Sequence, residues 1–171
     1  MISYGGYSFR SKAVILSGKA KAAHLKIGQN GENAAKRLFL NMDCTFLAKD
    51  VRMPAGEMDL VFRDGNTLVF IEVKSRRIKR KEDAAFVHPS DALHPRQKRR
   101  IYRASHQYMR EIGNPALPYR YDLVEVLFLA GKGLYMMKHH KGAFGSRNFS
   151  PFSSGTSYGS SGTKEEFPIY F

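Results

Sequence analysis

Two short clusters of chemically capable residues lie near the middle of the chain: Glu57 with Asp59, and Glu72 with Lys74. Strand side chains alternate between faces, so each pair, two residues apart, shares one side of an extended segment. Between them Asp64-Gly65-Asn66 has the composition of a tight turn. Folding 57–63 and 67–76 into a hairpin about Gly65-Asn66 sets Asp59 opposite Glu72, Glu57 opposite Lys74 and Asp64 opposite Thr67. All four polar groups then occupy one face. The other face carries Met58, Leu60 and Phe62 against Val73, Ile71 and Val69, all apolar. A slip of one residue would spoil both faces, so the pattern specifies its own register.

Opposed carboxylates, with β-carbons about 4.5–5.5 Å apart, repel unless something neutralises them. A divalent cation with oxygen ligands does so, and Mg²⁺ (or Mn²⁺) is the hard ion suited to carboxylates. A metal beside two acids and a lysine supplies the parts of phosphodiester hydrolysis. It polarises the phosphoryl oxygen and acidifies a bound water, while an ammonium offsets charge developing on phosphate. A cross-strand salt-bridge ladder would use the same residues, with Glu57 on Lys74 and Asp59 on an arginine. The register alone leaves both open.

The elements around the hairpin come from periodicity. Ile27, Gly31, Ala34, Leu38 and Met42 recur at helical spacing, predicting an amphipathic helix over about 30–42. Cys44 to Val51 reads as a strand ahead of the two central ones, 57–63 and 67–76. A basic loop and a helix over about 95–112 follow, with Pro95 in its first turn, Gly113-Asn114-Pro115 ending it, and Ile101, Ala104, Tyr108 and Ile112 as its stripe. Tyr121–Leu129 and Leu134–Lys138 read as strands joined by a Gly-rich turn. Helix, three strands, helix and two strands make a small α/β sandwich with a mixed sheet. Residues 1–26 read as a basic flexible arm, 27–144 as the domain, and 145–171 as a Gly/Ser-rich disordered tail whose apolar end, 167–171, is expected to fray.

The chain has 171 residues, with 28 Lys+Arg against 15 Asp+Glu and a net charge of +13. That excess points to a polyanionic partner, most often nucleic acid. Its distribution is uneven: residues 32–73 are net −2 and residues 74–110 are net +9. Carboxylates repel phosphate, so acids beside a basic belt make sense if a metal mediates between them. Within the belt, Arg76, Arg77, Lys79 and Arg80 leave the sheet beside the acids. Arg96, Lys98, Arg99, Arg100 and Arg103 line the following helix, and all nine are candidate phosphate-backbone contacts. A single cysteine, Cys44, excludes a disulfide scaffold and suits a reducing, cytoplasmic compartment; it reads as a core residue. No apolar run approaches the ~20 residues of a membrane span. Adjacent His139 and His140 would point to opposite faces of a strand, which argues against a shared zinc.

Gly56-Glu57-Met58-Asp59-Leu60, followed by Val69-Phe70-Ile71-Glu72-Val73-Lys74-Ser75-Arg76, resembles the YraN-type family of bacterial proteins. It also contains the D…E-x-K core of the PD-(D/E)xK nuclease superfamily, to which Holliday-junction resolvases belong. Further similar pieces occur in order: Gly28 to Ala35, Gln97-Lys98, Arg120-Tyr121-Asp122 and His140 to Phe144. The similarity spans about 27–144 and implies a restriction-endonuclease-like fold. It further implies Asp59 and Glu72 as metal carboxylates, the Val73 carbonyl as a third ligand, Lys74 as the catalytic lysine and Glu32 as a further acid on the metal. Glu57 would support Lys74, and Lys98 would approach the metal site. Met58 stands where the superfamily label has proline. The implied activity is metal-dependent cleavage of DNA, branched or flapped, with a homodimer suiting a symmetric substrate. The alternatives are a non-catalytic nucleic-acid-binding module and a repair-complex scaffold.

Overall fold

The computed structural model describes residues 18–87, 93–145 and 166–170, with residues 18–21 and 166–170 described by backbone alone. Its elements are α1 (Gly18–Asn41), β1 (Thr45–Met53), β2 (Gly56–Asp64), β3 (Thr67–Ile78), a 3₁₀ turn (Lys81–Phe86), α2 (Pro95–Glu111), β4 (Tyr119–Leu129), β5 (Gly133–Phe144) and β6 (Glu166–Tyr170). The strands form one six-stranded sheet in sequence order. Neighbours are antiparallel except β3 and β4, which α2 connects as a parallel pair. This is the expected mixed-sheet α/β architecture, restriction-endonuclease-like, with one strand more than the sequence suggested. The end of the chain expected to fray, 167–171, instead lies largely in a strand: residues 166–170 pair with β5 from Met136 to His140.

The sheet has a core on each face. Leu60, Phe62, Val69, Ile71, Val73, Val124 and Val126 pack under Ala34, Ala35, Leu38 and Phe39 of α1. Met58, Val61, Leu68, Phe70, Tyr121 and Leu123 pack under Ile101, Ala104 and Met109 of α2. Two readings of the helix stripes need correction. Phe39 is buried where Met42, past the end of α1, is 46% exposed, and Ile112, just past α2, is 43% exposed. The periodic pattern overran both helix ends because an apolar residue just beyond a helix no longer faces the core. In the other direction α1 begins at Gly18, inside the expected flexible arm. Its Lys- and Ala-rich first turns favour helix without supplying an apolar stripe to announce it.

Two glycines set how closely the layers approach. A Cβ on Gly31 would overlap Ser75 Oγ, so α1 seats directly on β3 at this point. A Cβ on Gly56 would lie 2.9 Å from the backbone oxygen of Arg100, so β2 begins against the first turns of α2. Both contacts bring a helix down onto the hairpin that carries the acids.

Candidate active site

The hairpin register is as the alternation requires from the turn to its middle. Asp64 pairs with Thr67, Phe62 with Val69 and Leu60 with Ile71. There the ladder stops. The expected Asp59–Glu72 and Glu57–Lys74 cross-strand pairs do not form; instead the Val73 backbone N–H donates to Asp59 Oδ2 at 2.7 Å. β2 stays paired with β1 (Val51 to Met58, Arg52 to Glu57) and parts from β3. The strict alternation fails with it. Met58 joins Val61 and Phe70 beneath α2 rather than Leu60 and Phe62 beneath α1. Opposite Asp59, Asp50 of β1 takes the left-handed φ of 53°. A side-chain acceptor has replaced a ladder carbonyl, and the strands open around a polar cavity.

That cavity, about 470 Å³, is lined by Glu57, Asp59 and Glu72 from the sheet and by His94, Arg96, Gln97, Arg100 and Ile101 from the start of α2. The sequence brought Asp59, Glu72 and Glu57 to one face, and they do line one wall. Lys74 Nζ donates to Glu72 Oε1 at 2.7 Å, and Gln97 Nε2 reaches the same oxygen at 2.6 Å. Among the described residues, Asp59 Oδ1 and Glu72 Oε2 receive no donor. Glu72 is 6% exposed. Burial first, then the neighbouring Glu72 charge, pushes the Asp59 carboxyl from its ordinary 3.8 up to about 7, against the lowering effect of the Val73 N–H. Burial also raises Glu72, opposed chiefly by Lys74. The pair is therefore short of positive charge.

Glu32 approaches from α1 and raises both carboxyls through its own charge, but its Oε2 is held by Lys49 Nζ at 3.0 Å. No three acidic, histidine or cysteine side chains converge as a ready-made metal cluster among the described residues. Half-buried Asp59 and buried Glu72, each with one oxygen that no described donor engages, could instead hold a hard cation that keeps several of its waters. Val73 sits between them and commits its N–H to Asp59.

The basic belt divides. Arg96 and Arg100 face the cavity, whereas Arg99 and Arg103 are exposed elsewhere on α2. Lys98 does not approach the site; its Nζ lies 6.0 Å from the Phe144 ring centre. Gln97 and Lys98 flank the buried Ile101 at i−4 and i−3, about 100° apart around the helix, so with Gln97 on Glu72 the Lys98 side chain emerges toward Phe144. Arg76 is half-buried on β3, and Arg77, Lys79 and Arg80 are exposed beyond it. Asp83 accepts from the Lys79 and Arg80 backbone amides, ordering the start of the 3₁₀ turn.

A model of the uncharacterised protein family UPF0102 matches residues 31–126, more than half of the chain. A UPF0102 protein of Streptomyces griseus is 36% identical over 117 residues, covering 68% of this chain and 93% of the relative. One from Symbiobacterium thermophilum is 36% identical over 101 residues, covering 59% of this chain and 81% of the relative. The chain belongs to the UPF0102 family. UPF0102 is the YraN-type family of restriction-endonuclease-like proteins expected from the hairpin motif. The matched region carries Glu32, Asp59, Glu72, Lys74, Gln97 and Arg100 together.

In this UPF0102 protein several residues that the fold places at or near the site carry little local sequence signal. Gln97 stood in a quoted motif without a role, although its spacing from Ile101 was visible. Lys49, His94 and the buried pair Glu125–His140 (3.0 Å) carried no local signal. Glu125 is the neighbour of Lys74 in the parallel ladder, and its buried Oε1 has no hydrogen-bond partner among the described residues. The two adjacent histidines diverge as expected: His139 packs on Phe39 and bonds Asp122, while His140 turns to Glu125. Cys44 is core. No described helix is long and apolar enough to cross a membrane.

Proposed function

We propose that this protein is a divalent-metal-dependent nuclease acting on DNA, with branched or flapped structures as preferred substrates. The observation that carries this reading is the pair of half-buried Asp59 and buried Glu72: both carboxyls raised, each with an oxygen no described donor engages, on a wall that faces arginines. A structural carboxylate pair would be neutralised by protein donors; this one is neutralised only in part.

Asp59 and Glu72 would hold Mg²⁺ or Mn²⁺, which, when bound, polarises the phosphoryl oxygen and acidifies a water. The protein's own groups do the remaining work. Gln97 and Lys74 fix Glu72 Oε1, turning its other oxygen toward the cavity. Lys74, 2.7 Å from Glu72, places its ammonium where negative charge grows on phosphate. Asp59 is oriented by the Val73 amide. Arg96 and Arg100 bring phosphate to this wall, and the exposed cations at Arg77, Lys79 and Arg80 extend the track along the backbone.

The test is incubation with single-stranded, duplex, flap and four-way-junction DNA, and with matching RNA, in Mg²⁺ or Mn²⁺. Cleavage that disappears in Asp59→Asn and Lys74→Ala while binding persists supports the reading. Metal-independent binding without cleavage of any substrate makes the protein a binding module or repair-complex scaffold on a nuclease fold.

A further inference from the structure

His94 is the N-cap of α2, and its Nδ1 accepts from the Arg96 backbone N–H at 3.3 Å. A backbone amide can only donate. Nδ1 is therefore unprotonated in this arrangement, and a neutral ring carries its hydrogen on Nε2. His94 lines the same cavity as Asp59 and Glu72, and Nε2–H is the only other polar group of its ring. Capping needs a single acceptor, which Asn, Asp or Ser supplies at least as well. Histidine adds a donor at the far end of the ring. An aspartate here would cap the helix but add a fourth carboxylate to a cavity that already holds Glu57, Asp59 and Glu72.

We infer that His94 is a substrate-binding residue whose neutral Nε2–H donates to a non-bridging oxygen of the DNA phosphate bound at this cavity. This inference rests on the nucleic-acid reading above. The cavity's two walls divide the work. On the sheet side the carboxylates require a cation between themselves and phosphate. On the helix side His94, Arg96 and Arg100 meet phosphate directly, with the N-terminal dipole of α2 behind them. The cap bond on Nδ1 orients the ring, and with it the Nε2 donor, before substrate arrives.

Two substitutions separate capping from binding. His94→Asn keeps a side-chain acceptor for the helix but removes the distant donor; His94→Ala removes both. Binding of the full chain to a labelled flap DNA is measured by fluorescence anisotropy at pH 8 over a salt series, with helical content followed by circular dichroism. Both variants should bind about tenfold more weakly, the loss expected for one hydrogen bond to a charged group. The salt slope should stay at its wild-type value, because a neutral donor displaces no counterions, whereas Arg96→Gln should lower it by about 1. Wild-type affinity in His94→Asn, with loss confined to His94→Ala, overturns the inference in favour of a cap alone. Wild-type affinity in both, or a slope reduced in His94→Asn, overturns it as well. If the wild type binds this DNA but cleaves nothing, the nuclease reading fails while the Asn and Ala comparison still decides the role of His94. A wild type that does not bind the DNA overturns both.

Discussion

Two groups of buried or half-buried acids lie on opposite faces of one sheet, and the protein treats them differently. Asp122, fully buried, accepts from Arg120 Nε at 3.1 and 3.2 Å, from the Gly142 amide at 2.9 Å and bonds His139 Nε2 at 2.9 Å. Arg120 Nη1 in turn reaches Asp64 at 2.8 Å. Every lone pair that burial removed from water has found a donor there, and the network ties β2, β4 and β5 together. At the cavity, Asp59 and Glu72 share one lysine, one glutamine and one amide, and their carboxyls are raised accordingly. Neutralisation marks the first group as architecture, and its shortfall supports the proposal of a ligand at the second. Glu125 lies between the two cases, with one oxygen on His140 and the other without a hydrogen-bond partner among the described residues.

The largest effect that would break this contrast is catalytic. Asp59→Asn and Lys74→Ala should each lower single-turnover DNA cleavage by about 10³-fold, near 4 kcal/mol of transition-state stabilisation, with an unchanged circular dichroism spectrum. Asp122→Ala should do the reverse. It leaves the buried His139 without its acceptor and Arg120 with Asp64 alone, and should cost about 3 kcal/mol in urea denaturation. An Asp122→Ala protein of wild-type stability would erase the distinction.

A smaller effect sharpens it through pH. The folded Asp59 carboxyl titrates near 7 against an ordinary 3.8, so the unfolded chain loses this proton first as pH rises. Relative stability is fully present below about 4 and is lost as pH climbs through 7. Metal-free Asp59→Asn should therefore be more stable than wild type at pH 8, by on the order of 1–3 kcal/mol, with the gain shrinking toward pH 5. Thermal melts at both pH values check this, and added Mg²⁺ should raise the wild-type melting temperature but not that of the variant. The smallest effect concerns the seating of α1. Gly31→Ala should lose about 1–2 kcal/mol despite alanine's better helix propensity, because Ser75 must give way.

Much of this was legible in the chain. Alternation in 60–64 against 67–71 specified the hairpin register, and acids separated by two residues identified the face that would hold the site. Lys98 was placed at the site because Gln97 and Lys98 both flank Ile101 at helical spacing, and only the packing of α2 chooses between them. Asp59–Glu72 and Glu57–Lys74 were misread as ladder pairs, because alternation assumes that two strands remain paired to their ends. Whether they part depends on competition from β1 and on a carboxylate capturing the Val73 amide, neither of which is a local property. Residues 166–170 illustrate the same limit, since an apolar tail pairs only if a sheet edge awaits it.

By itself, then, the sequence determined the element types, the register of the central hairpin and the gathering of Asp59, Glu72 and Lys74, because strand alternation and turn chemistry act within a few residues. Only the tertiary structure decided that the hairpin opens at Asp59, that Gln97 rather than Lys98 holds Glu72, and that His94 and Arg100 line the cavity with the acids. Those outcomes depend on how closely α2 packs against β2 at Gly56, a contact between segments some forty residues apart in the chain.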